Sequence, residues 1–188
     1  MPTGREGSAA GVVNNKIYAI GGTTGPSPFT TVEEYDPATN TWTTKASMPT
    51  GRYYLVVGVV GSKIYAIGGY SGGYLTTVEE YDPATNTWTN CGTPAPGNGC
   101  TQMPTGRTGA SASVVNNKIY AIGGLGSSGS LTIVEEYDPA TNTWTTKTSM
   151  TTGRYYLAAG VVNNKIYTIG GYNGSSGYLN TVEEGTVE

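Results

Sequence analysis

Histidine is absent from the 188 residues of this chain. Its absence excludes a Ser-His-Asp triad, an imidazole acid–base group and His-ligated zinc, copper or haem. Charge is also scarce: charged residues make up 12% of the chain, against roughly 25% in an average protein. Only 10 residues are Lys or Arg and the net charge is −3, which argues against a nucleic-acid partner. No metal site or cofactor is expected.

Leucine and long uninterrupted segments are scarce as well. The chain has 6 Leu and 1 Phe, and no stretch free of both Gly and Pro exceeds 13 residues. Helical bundles and coiled coils are therefore excluded, and no apolar run approaches the roughly 18–20 residues that cross a membrane. Abundant instead are 30 Thr, 29 Gly and 15 Tyr, a composition typical of pleated sheets joined by tight turns.

The sequence repeats itself four times. Each unit opens on Met-Pro-Thr-Gly-Arg or its variant Met-Thr-Thr-Gly-Arg, and these phrases begin at Met1, Met48, Met103 and Met150. A Lys-Ile-Tyr-x-Ile-Gly-Gly segment follows, and then Val-Glu-Glu-Tyr-Asp-Pro-Ala-Thr-Asn-Thr-Trp, which ends at Trp42, Trp88 and Trp144. The fourth unit has Gly185 where Tyr is expected and lacks the segment with Trp. Repeats of about 47 residues predict an array of similar structural units.

Each unit contains four short predicted strands, which we call a to d. In the first unit, a is the small apolar run 8–13, b is Lys16–Ile20, c is 31–35 and d is 41–45 around Trp42. Asn14-Asn15 is a hairpin turn, since Asn tolerates positive φ, and Asp36-Pro37 starts a second turn. Four antiparallel strands per unit are typical of a propeller blade, and a single blade buries too little apolar surface to fold alone.

The order Gly-Arg, Val-Val-Asn-Asn-Lys-Ile-Tyr, Gly-Gly, Val-Glu-Glu-Tyr-Asp-Pro, Asn-Thr-Trp resembles the kelch repeat. This resemblance implies an all-β fold, a kelch-type β-propeller of four-stranded antiparallel blades, with a as the inner strand and d as the outer strand. We expect a single domain over residues 1–188, with blades at 1–47, 48–102, 103–149 and 150–188. It also implies that the three Trp residues belong to the core.

Two features predict a ring larger than four blades. Kelch propellers usually have five to seven blades, and blade 4 lacks strand d, which would expose a strand edge. Blades 2 and 4 share Gly-Arg-Tyr-Tyr-Leu, whereas blades 1 and 3 carry smaller residues there. The unit of duplication is therefore a blade pair, and we expect the chain to be part of a larger ring, or to associate with itself.

Ligand binding is expected on one face of the propeller. The loops before strand a and the loops between b and c share that face and vary between units, while the turns of the other face are nearly invariant; variable loops on a rigid scaffold are where binding usually occurs. The resemblance implies contacts from the Arg at the start of strand a. The candidate binding residues are Arg52, Tyr53, Tyr54, Tyr70, Tyr74, Arg154, Tyr155, Tyr156, Tyr172 and Tyr178.

Structural roles remain open for several of these residues. The arginines can instead pair with strand-c glutamates such as Glu34, Glu80, Glu136 and Glu184. Strand alternation predicts that one Tyr of each Tyr-Tyr pair packs between blades. Tyrosines in the loops have less structural reason to be there, and exposed Tyr suits a peptide or sugar face. The Glu-Glu pairs recur in every blade, which favours a scaffold role over acid–base catalysis.

The two cysteines, Cys91 and Cys100, bracket eight residues of turn-forming type in an inserted loop on the same face. Their spacing is too wide for Cys-x-x-Cys redox chemistry, and without His they make a poor zinc site. A disulfide is predicted, and with it an oxidising, extracellular or cell-surface location.

Three functions compete. The first is a non-catalytic module that binds a protein, peptide or glycan through its loop face. The second is a structural repeat protein of a surface layer or filament, which near-identical blades also favour. The third is an enzyme: the chain resembles kelch enzymes in its repeat, but the copper-radical oxidases need His ligands, which leaves only an epimerase-like use of Arg and Glu. The first is preferred, with no enzymatic activity and no membrane insertion expected.

Overall fold

The computed structural model describes residues 1–91 and 100–187 and contains only strands, turns and loops there. Four antiparallel blade sheets follow one another along the described part of the chain, and two short two-stranded sheets accompany the last two blades. Blade 1 contains β1 (Ala9–Val13), β2 (Lys16–Ile20), β3 (Val32–Asp36) and β4 (Thr41–Thr44). Blade 2 contains β5 (Val56–Val60), β6 (Lys63–Ile67), β7 (Val78–Asp82) and β8 (Thr87–Cys91).

Blade 3 has a small extra hairpin between its second and third main strands. It contains β9 (Ser111–Val115), β10 (Lys118–Ile122), the hairpin of β11 (Leu125–Gly126) and β12 (Gly129–Ser130), then β13 (Val134–Asp138) and β14 (Thr143–Lys147). Blade 4 contains β15 (Ala158–Val162), β16 (Lys165–Ile169), the hairpin of β17 (Tyr172–Asn173) and β18 (Gly177–Tyr178), and β19 (Val182–Thr186). Its sheet has three strands, in the order β15-β16-β19. The two small hairpins were not predicted from the sequence.

The turns opposite the variable loops have the geometry that their residues favour. Asn14 and Asn15 both adopt positive φ, 50° and 61°, as a two-residue hairpin turn requires. In the outer turn, Asp36 Oδ1 accepts a hydrogen bond from the Ala38 N–H at 2.9 Å, and Asn40 takes a φ of 54°. These turns repeat in later blades and fix the strand register, so that Trp42 lies opposite Tyr35.

The core lies between blades. Tyr18, Ile20 and Val32 of blade 1 pack against Leu55, Ile64 and Tyr81 of blade 2, and equivalent clusters join blades 2 and 3 and blades 3 and 4. The inner strands contact one another in the order β1, β5, β9 and β15. Within the described residues, β15 and β1 make no comparable contact. The four blades thus form a propeller arc with two sheet faces that have no neighbouring blade.

Exposure of equivalent residues shows how open these two faces are. Ile169 on blade 4 is 49% exposed, whereas its counterpart Ile122 on blade 3 is 1% exposed. On blade 1, Ile17 is 36% exposed and its counterpart Ile64 is 0% exposed. Blade 4 therefore presents the surface that would pack against a following blade, and blade 1 presents the surface that would pack against a preceding one.

The tryptophans are half-buried. Trp88 and Trp144 pack against the edges of two core clusters, whereas Trp42 belongs to none of the three clusters of the described residues, so the expectation that all three lie in the core is confirmed only at the core edge and only for two of them. Trp88 lies against Tyr81 with 5.0 Å between ring centroids, and its Nε1 donates to the Ala46 carbonyl of blade 1 at 2.9 Å. Trp144 donates to the Thr101 carbonyl at 3.2 Å. These side chains lie at the outer seams between blades, where one ring face is packed and the rest meets solvent.

Replacing Trp88 by Ala is expected to lower the free energy of unfolding by about 2–3 kcal/mol, below the 3–5 kcal/mol of a fully buried aromatic. Trp42 is the matched control. It lies against Tyr35 with 5.0 Å between ring centroids, but no blade of the described residues packs on its other side, so Trp42→Ala should cost about 1 kcal/mol. Urea denaturation measures both, and equal losses would contradict a role at the seam.

Cys91 and Cys100 form a disulfide and both side chains are buried. Both belong to the apolar cluster between blades 2 and 3. The predicted loop between them, residues 92–99, lies outside the described residues. Mass spectrometry without reductant should give a mass lower than that of the reduced chain by two hydrogens. Reduction should remove about 2–3 kcal/mol of stability; quantitative alkylation of both thiols in the folded chain would contradict the bond.

Candidate functional site

The arginines that begin each blade are buried beneath the loop face. Arg52 is 0% exposed. Its Nη1 donates to the carbonyls of Gly68 and Thr77 at 3.2 and 2.8 Å, and its Nη2 to the carboxylate of Glu79. Arg154 repeats this arrangement with Gly170, Thr181 and Glu183. Each guanidinium therefore ties the start of strand a to the end of strand b and to strand c.

Arg52 and Arg154 therefore hold their own blades together in this structure, with their guanidinium groups engaged by backbone and carboxylate oxygens. Burial lowers the pKa of Arg52, while the charge and hydrogen bond of Glu79 act in the opposite direction. Their partners also differ from the glutamates suggested by the sequence, because each arginine pairs with the first residue of the Glu-Glu pair. These partners are Glu33, Glu79, Glu135 and Glu183.

The second glutamate of each pair lies on the other side of strand c. Glu136 accepts from the hydroxyl of Tyr120 and pairs with Lys118 and Lys147 at 2.9 and 3.2 Å. Burial alone would raise the pKa of Glu136, but these hydrogen bonds and charges outweigh it and the pKa is lowered. The two carboxylates of each pair therefore have separate partners, as a scaffold role requires.

The tyrosines of blade 2 form a row of rings across the loop face. Tyr54 lies 5.2 Å from Tyr53, Tyr53 lies 5.6 Å from Tyr70, and Tyr70 lies 5.8 Å from Tyr74, measured between ring centroids. Backbone bonds hold the centre of this row, because Tyr53 and Tyr70 exchange N–H···O bonds of 3.2 and 2.9 Å. The loop before strand a and the loop between b and c are thereby joined.

Blade 4 carries a second row of the same design. Tyr156, Tyr155, Tyr172 and Tyr178 follow one another at centroid distances of 5.0, 5.4 and 5.1 Å. The two rows meet at Tyr54 and Tyr156, whose centroids are 5.2 Å apart. Eight tyrosines from alternate blades thus form one continuous chain of edge-to-face or tilted contacts, which we call the tyrosine row.

The junction depends on an unusual backbone. Tyr54 and Tyr156 adopt φ of 52° and 55°, a region that bulky residues rarely occupy. The equivalent positions in blades 1 and 3 are Gly7 and Gly109, with φ of 62° and 58°. The Tyr54 ring lies over Gly7 and the Tyr156 ring over Gly109, where an added Cβ would come within 3.1 and 2.9 Å of a ring carbon. Glycine in one blade therefore makes room for tyrosine in the next.

Backbone bonds continue this alternation from blade to blade. Tyr54 N–H donates to Gly7 at 2.6 Å, Gly109 N–H to Tyr54 at 2.9 Å, and Tyr156 N–H to Gly109 at 2.7 Å. Strained backbone of this kind concentrates at functional sites. In this chain the positive φ of Tyr54 and Tyr156 directs their rings towards each other across blade 3.

The tyrosine row is partly open to solvent. Tyr178 is 91% exposed, Tyr156 is 56% exposed and Tyr74 is 37% exposed, while the other five are half-buried. Burial raises the pKa of Tyr156, and neighbouring Tyr54 adds a smaller effect. Its phenol therefore stays protonated and neutral at physiological pH, as a hydrogen-bond donor and acceptor on an otherwise apolar ring.

Sequence reasoning selected all eight tyrosines but missed how they meet. One member of each Tyr-Tyr pair was expected in the core, and this is wrong: strand a begins after both, at β5 and β15. The buried residues are the following ones, Leu55 and Leu157. The sequence did contain a signal for the junction: blades 1 and 3 carry Gly7 and Gly109 at the repeat position where blades 2 and 4 carry Tyr54 and Tyr156.

Comparison with known proteins agrees with this architecture. A profile described as the KLHDC2/KLHL20/DRC7 Kelch-repeats domain matches residues 1–124, and the Kelch motif matches residues 106–151 and 153–184. The chain belongs to the kelch-repeat family. A search of curated proteins finds no match.

The solved structure of YjhT has the same fold as this kelch chain, with a TM-score of 0.78 and 18% sequence identity. The match covers 99% of this chain and 66% of YjhT, so the chain spans about two thirds of the length of that protein. Among residues 1–91 and 100–187 of the kelch chain, no three His, Cys, Asp or Glu side chains cluster as a metal site would. The same residues include no helix long and apolar enough to span a membrane.

Proposed function

We propose that this kelch propeller is a non-catalytic interaction module that binds its ligand along the tyrosine row. The kelch family supports the general role of a protein-interaction module. The observation that carries the proposal is the continuity of the row: eight rings from blades 2 and 4 touch in sequence on the variable loop face. A structural scaffold does not need exposed aromatic side chains such as Tyr178.

The chemistry of the row favours a protein or an extended peptide. Tyrosine offers a large contact area at a low cost in conformational entropy, because it has only two side-chain torsions. The backbone bonds and ring contacts described above fix these torsions before a ligand arrives, which reduces the entropy lost on binding. The phenol hydroxyls supply hydrogen bonds, so a polar but uncharged segment with apolar side chains fits the row best.

A glycan is the second candidate. Exposed aromatic faces also stack on the apolar faces of sugar rings, and Tyr178 and Tyr156 expose theirs most. The disulfide Cys91–Cys100 supports an extracellular or cell-surface location, because such bonds persist in oxidising compartments. Partners of either class would be met there.

The test screens the intact chain on a displayed peptide library and a glycan array, and then measures any binder against variants. Tyr156→Ser and Tyr178→Ala should each weaken binding at least tenfold. Tyr35→Ala is the matched control, because Tyr35 is a half-buried tyrosine at the outer edge of blade 1 and should leave affinity unchanged. A binder that is insensitive to both row variants would place the site elsewhere, and the absence of any binder would favour the structural-repeat hypothesis.

A further inference from the structure

A groove between blades 2 and 3 opens on the face of turns opposite the tyrosine row. It has a volume of about 840 Å³. Its blade 2 wall includes Glu80 of β7, and its blade 3 wall includes the turns at Asn116-Asn117 and Pro139-Ala140. These residues belong to the repeated strands and turns, so each can be compared with the residue at the same position in the other blades.

The carboxylates equivalent to Glu80 in the neighbouring blades each pair with two lysines. In blade 1, Glu34 pairs with Lys16 of β2 at 3.1 Å and with Lys45, just after β4, at 3.4 Å. Glu136 of blade 3 has the same two kinds of partner, one lysine from the second strand and one from the outer strand. Two ammonium groups on one carboxylate are therefore the rule at this position.

Blade 2 has a cysteine in the place of the second lysine. The strand register puts Cys91 where blade 3 has Lys147, and its sulfur belongs to the disulfide. Within the described residues Glu80 pairs with Lys63 alone, and residues 92–99 contain no lysine or arginine. The chain therefore supplies Glu80 with one ammonium group where its counterparts have two.

One oxygen of the Glu80 carboxylate is available to a further cation. Lys63 Nζ donates to Oε1 of Glu80. In blades 1 and 3 the second lysine lies nearest the other oxygen, Oε2, at 3.4 and 3.2 Å. The Glu80 side chain is 12% exposed and lines the groove, so a group that enters the groove reaches it.

A second departure from the repeat lies at the rim of the same groove. Blade 2 has Gly61-Ser62 where the other three blades have Asn-Asn, and Gly61 lines the groove. A Cβ at Gly61 would meet no atom within 4 Å, so the rim is open there. Two departures thus act on one groove: Gly61 widens its entrance, and Cys91 removes a cation from its wall.

The other charges of the groove do not oppose a cation. Lys118, the second lysine in its lining, pairs with Glu136 at 2.9 Å and with Asp138 at 3.7 Å. Its charge is therefore offset by two carboxylates. Val60 and Pro139 supply apolar surface beside Glu80, and the alkyl stems of lysine-type groups commonly pack along such surface.

We propose that this groove binds a primary alkylammonium group, with its charge on Glu80 and its stem along Val60 and Pro139. Such a group comes either from a lysine side chain of a partner or from a free polyamine, because both carry an ammonium group on a flexible alkyl stem. Its hydrogen bond to the carboxylate is charge-assisted. The groove lies on the face opposite the tyrosine row, so the site does not depend on the proposed function.

The experiment titrates the intact chain into dansylcadaverine, a dye with one free primary ammonium group on an alkyl stem, and follows the fluorescence anisotropy of the dye. A saturable complex with one dye per chain is expected, and added salt should weaken it. The N-acetylated dye keeps the stem but has no charge, and it should bind at least tenfold more weakly. Equal binding of the two dyes, or no saturable binding, would overturn the proposal.

Chain variants locate the site. Glu80→Gln preserves the shape of the side chain and should weaken binding at least tenfold, whereas Glu6→Gln removes the same charge from an exposed residue before β1 and should leave affinity unchanged. Gly61→Asn restores the turn residue of the other blades at a positive φ of 61° and should weaken binding about threefold by narrowing the entrance. It keeps the test available if Glu80→Gln does not fold. Unchanged affinity in Glu80→Gln, or an equal loss in Glu6→Gln, contradicts the site.

Competition separates the two sources of the ammonium group. The peptide acetyl-Gly-Lys-Gly-amide and spermidine are each added to the complex of chain and dye. Stronger displacement by the peptide assigns the groove to a lysine of a partner protein, and stronger displacement by spermidine assigns it to a free polyamine. If neither displaces the dye, the groove does not recognise the alkylammonium group and the proposal is wrong.

Discussion

Replacing Arg107 by Met is expected to lower the free energy of unfolding by about 3–5 kcal/mol, the largest single-residue effect we expect in this chain. The Arg107 side chain is 1% exposed and pairs with the equally buried carboxylate of Glu135. Its Nη1 also donates to the carbonyls of Gly123 and Ile133 at 3.0 and 3.1 Å. Methionine fills a similar space but leaves a buried charge and two carbonyls without their donor, which is the costly way to break such a pair.

Lys118→Met is the matched control. Lys118 also pairs with a strand-c glutamate, Glu136, but its own side chain is 34% exposed. Loss of an exposed ion pair typically costs about 1 kcal/mol or less. Urea denaturation of the two variants and the parent chain gives the comparison. If Arg107→Met costs no more than Lys118→Met, the buried arginines are not structural ties, and a ligand role for the arginines would have to be considered again.

The isolated chain is expected to sediment at no less than twice its monomer mass of 19.5 kDa. Blade 4 exposes Ile169 and Val182, and blade 1 exposes Ile17 and Val12. These are the two halves of the junction that buries Ile20, Val32 and Ile64 between blades 1 and 2. Contact between blade 4 of one copy and blade 1 of another would bury both faces. Such a head-to-tail contact closes into a ring or continues into an open assembly, according to whether its rotations sum to a full turn.

Sedimentation equilibrium over a hundredfold concentration range measures this association. Ile169→Glu should return the chain to the monomer mass, because it places a charge in the centre of the contact. Ala84→Glu is the control: Ala84 lies in an exposed outer turn of blade 2, so the same added charge should leave the assembly intact. A parent chain that remains a 19.5 kDa species throughout, with a cooperative melt, would show that both open faces are stable in water.

Much of the architecture could be predicted from the sequence, because its signals are local. Lys16–Ile20 is the observed β2, and the Asn pairs form the expected hairpin turns, since period-2 alternation and positive φ are properties of a few neighbouring residues. Because the same segments recur in four units, a strand or turn predicted in one unit was predicted in the others as well. The absence of strand d in blade 4 followed from the same comparison, and so did the choice of tyrosines.

The errors concern which side of a strand faces which neighbour. The alternation of side chains along a strand shows that Glu33 and Glu34 lie on opposite faces of the sheet. It does not show which of the two faces carries Arg5. In the structure Arg5 pairs with Glu33. At Tyr54, a single residue of positive φ interrupts the alternation, so the core position moves to Leu55. The contact of Tyr54 with Tyr156 spans a whole intervening blade, and its distance depends on how far each blade is rotated about the axis. No local pattern encodes that rotation.

The alternation of Gly7, Tyr54, Gly109 and Tyr156 limits how such a gene can gain or lose repeats. Each tyrosine ring occupies the space that only a glycine in the preceding blade leaves free. Unequal recombination that removed a glycine repeat or added a tyrosine repeat would place one tyrosine behind another, and the rings would collide. Loss of a tyrosine repeat or gain of a glycine repeat would place glycine behind glycine and interrupt the tyrosine row. Recombination that adds or removes two repeats keeps every tyrosine ring over a glycine and leaves the packing of the rings unchanged. Relatives of this protein should therefore differ in length by even numbers of blades, because an odd change either forces two rings together or interrupts the tyrosine row.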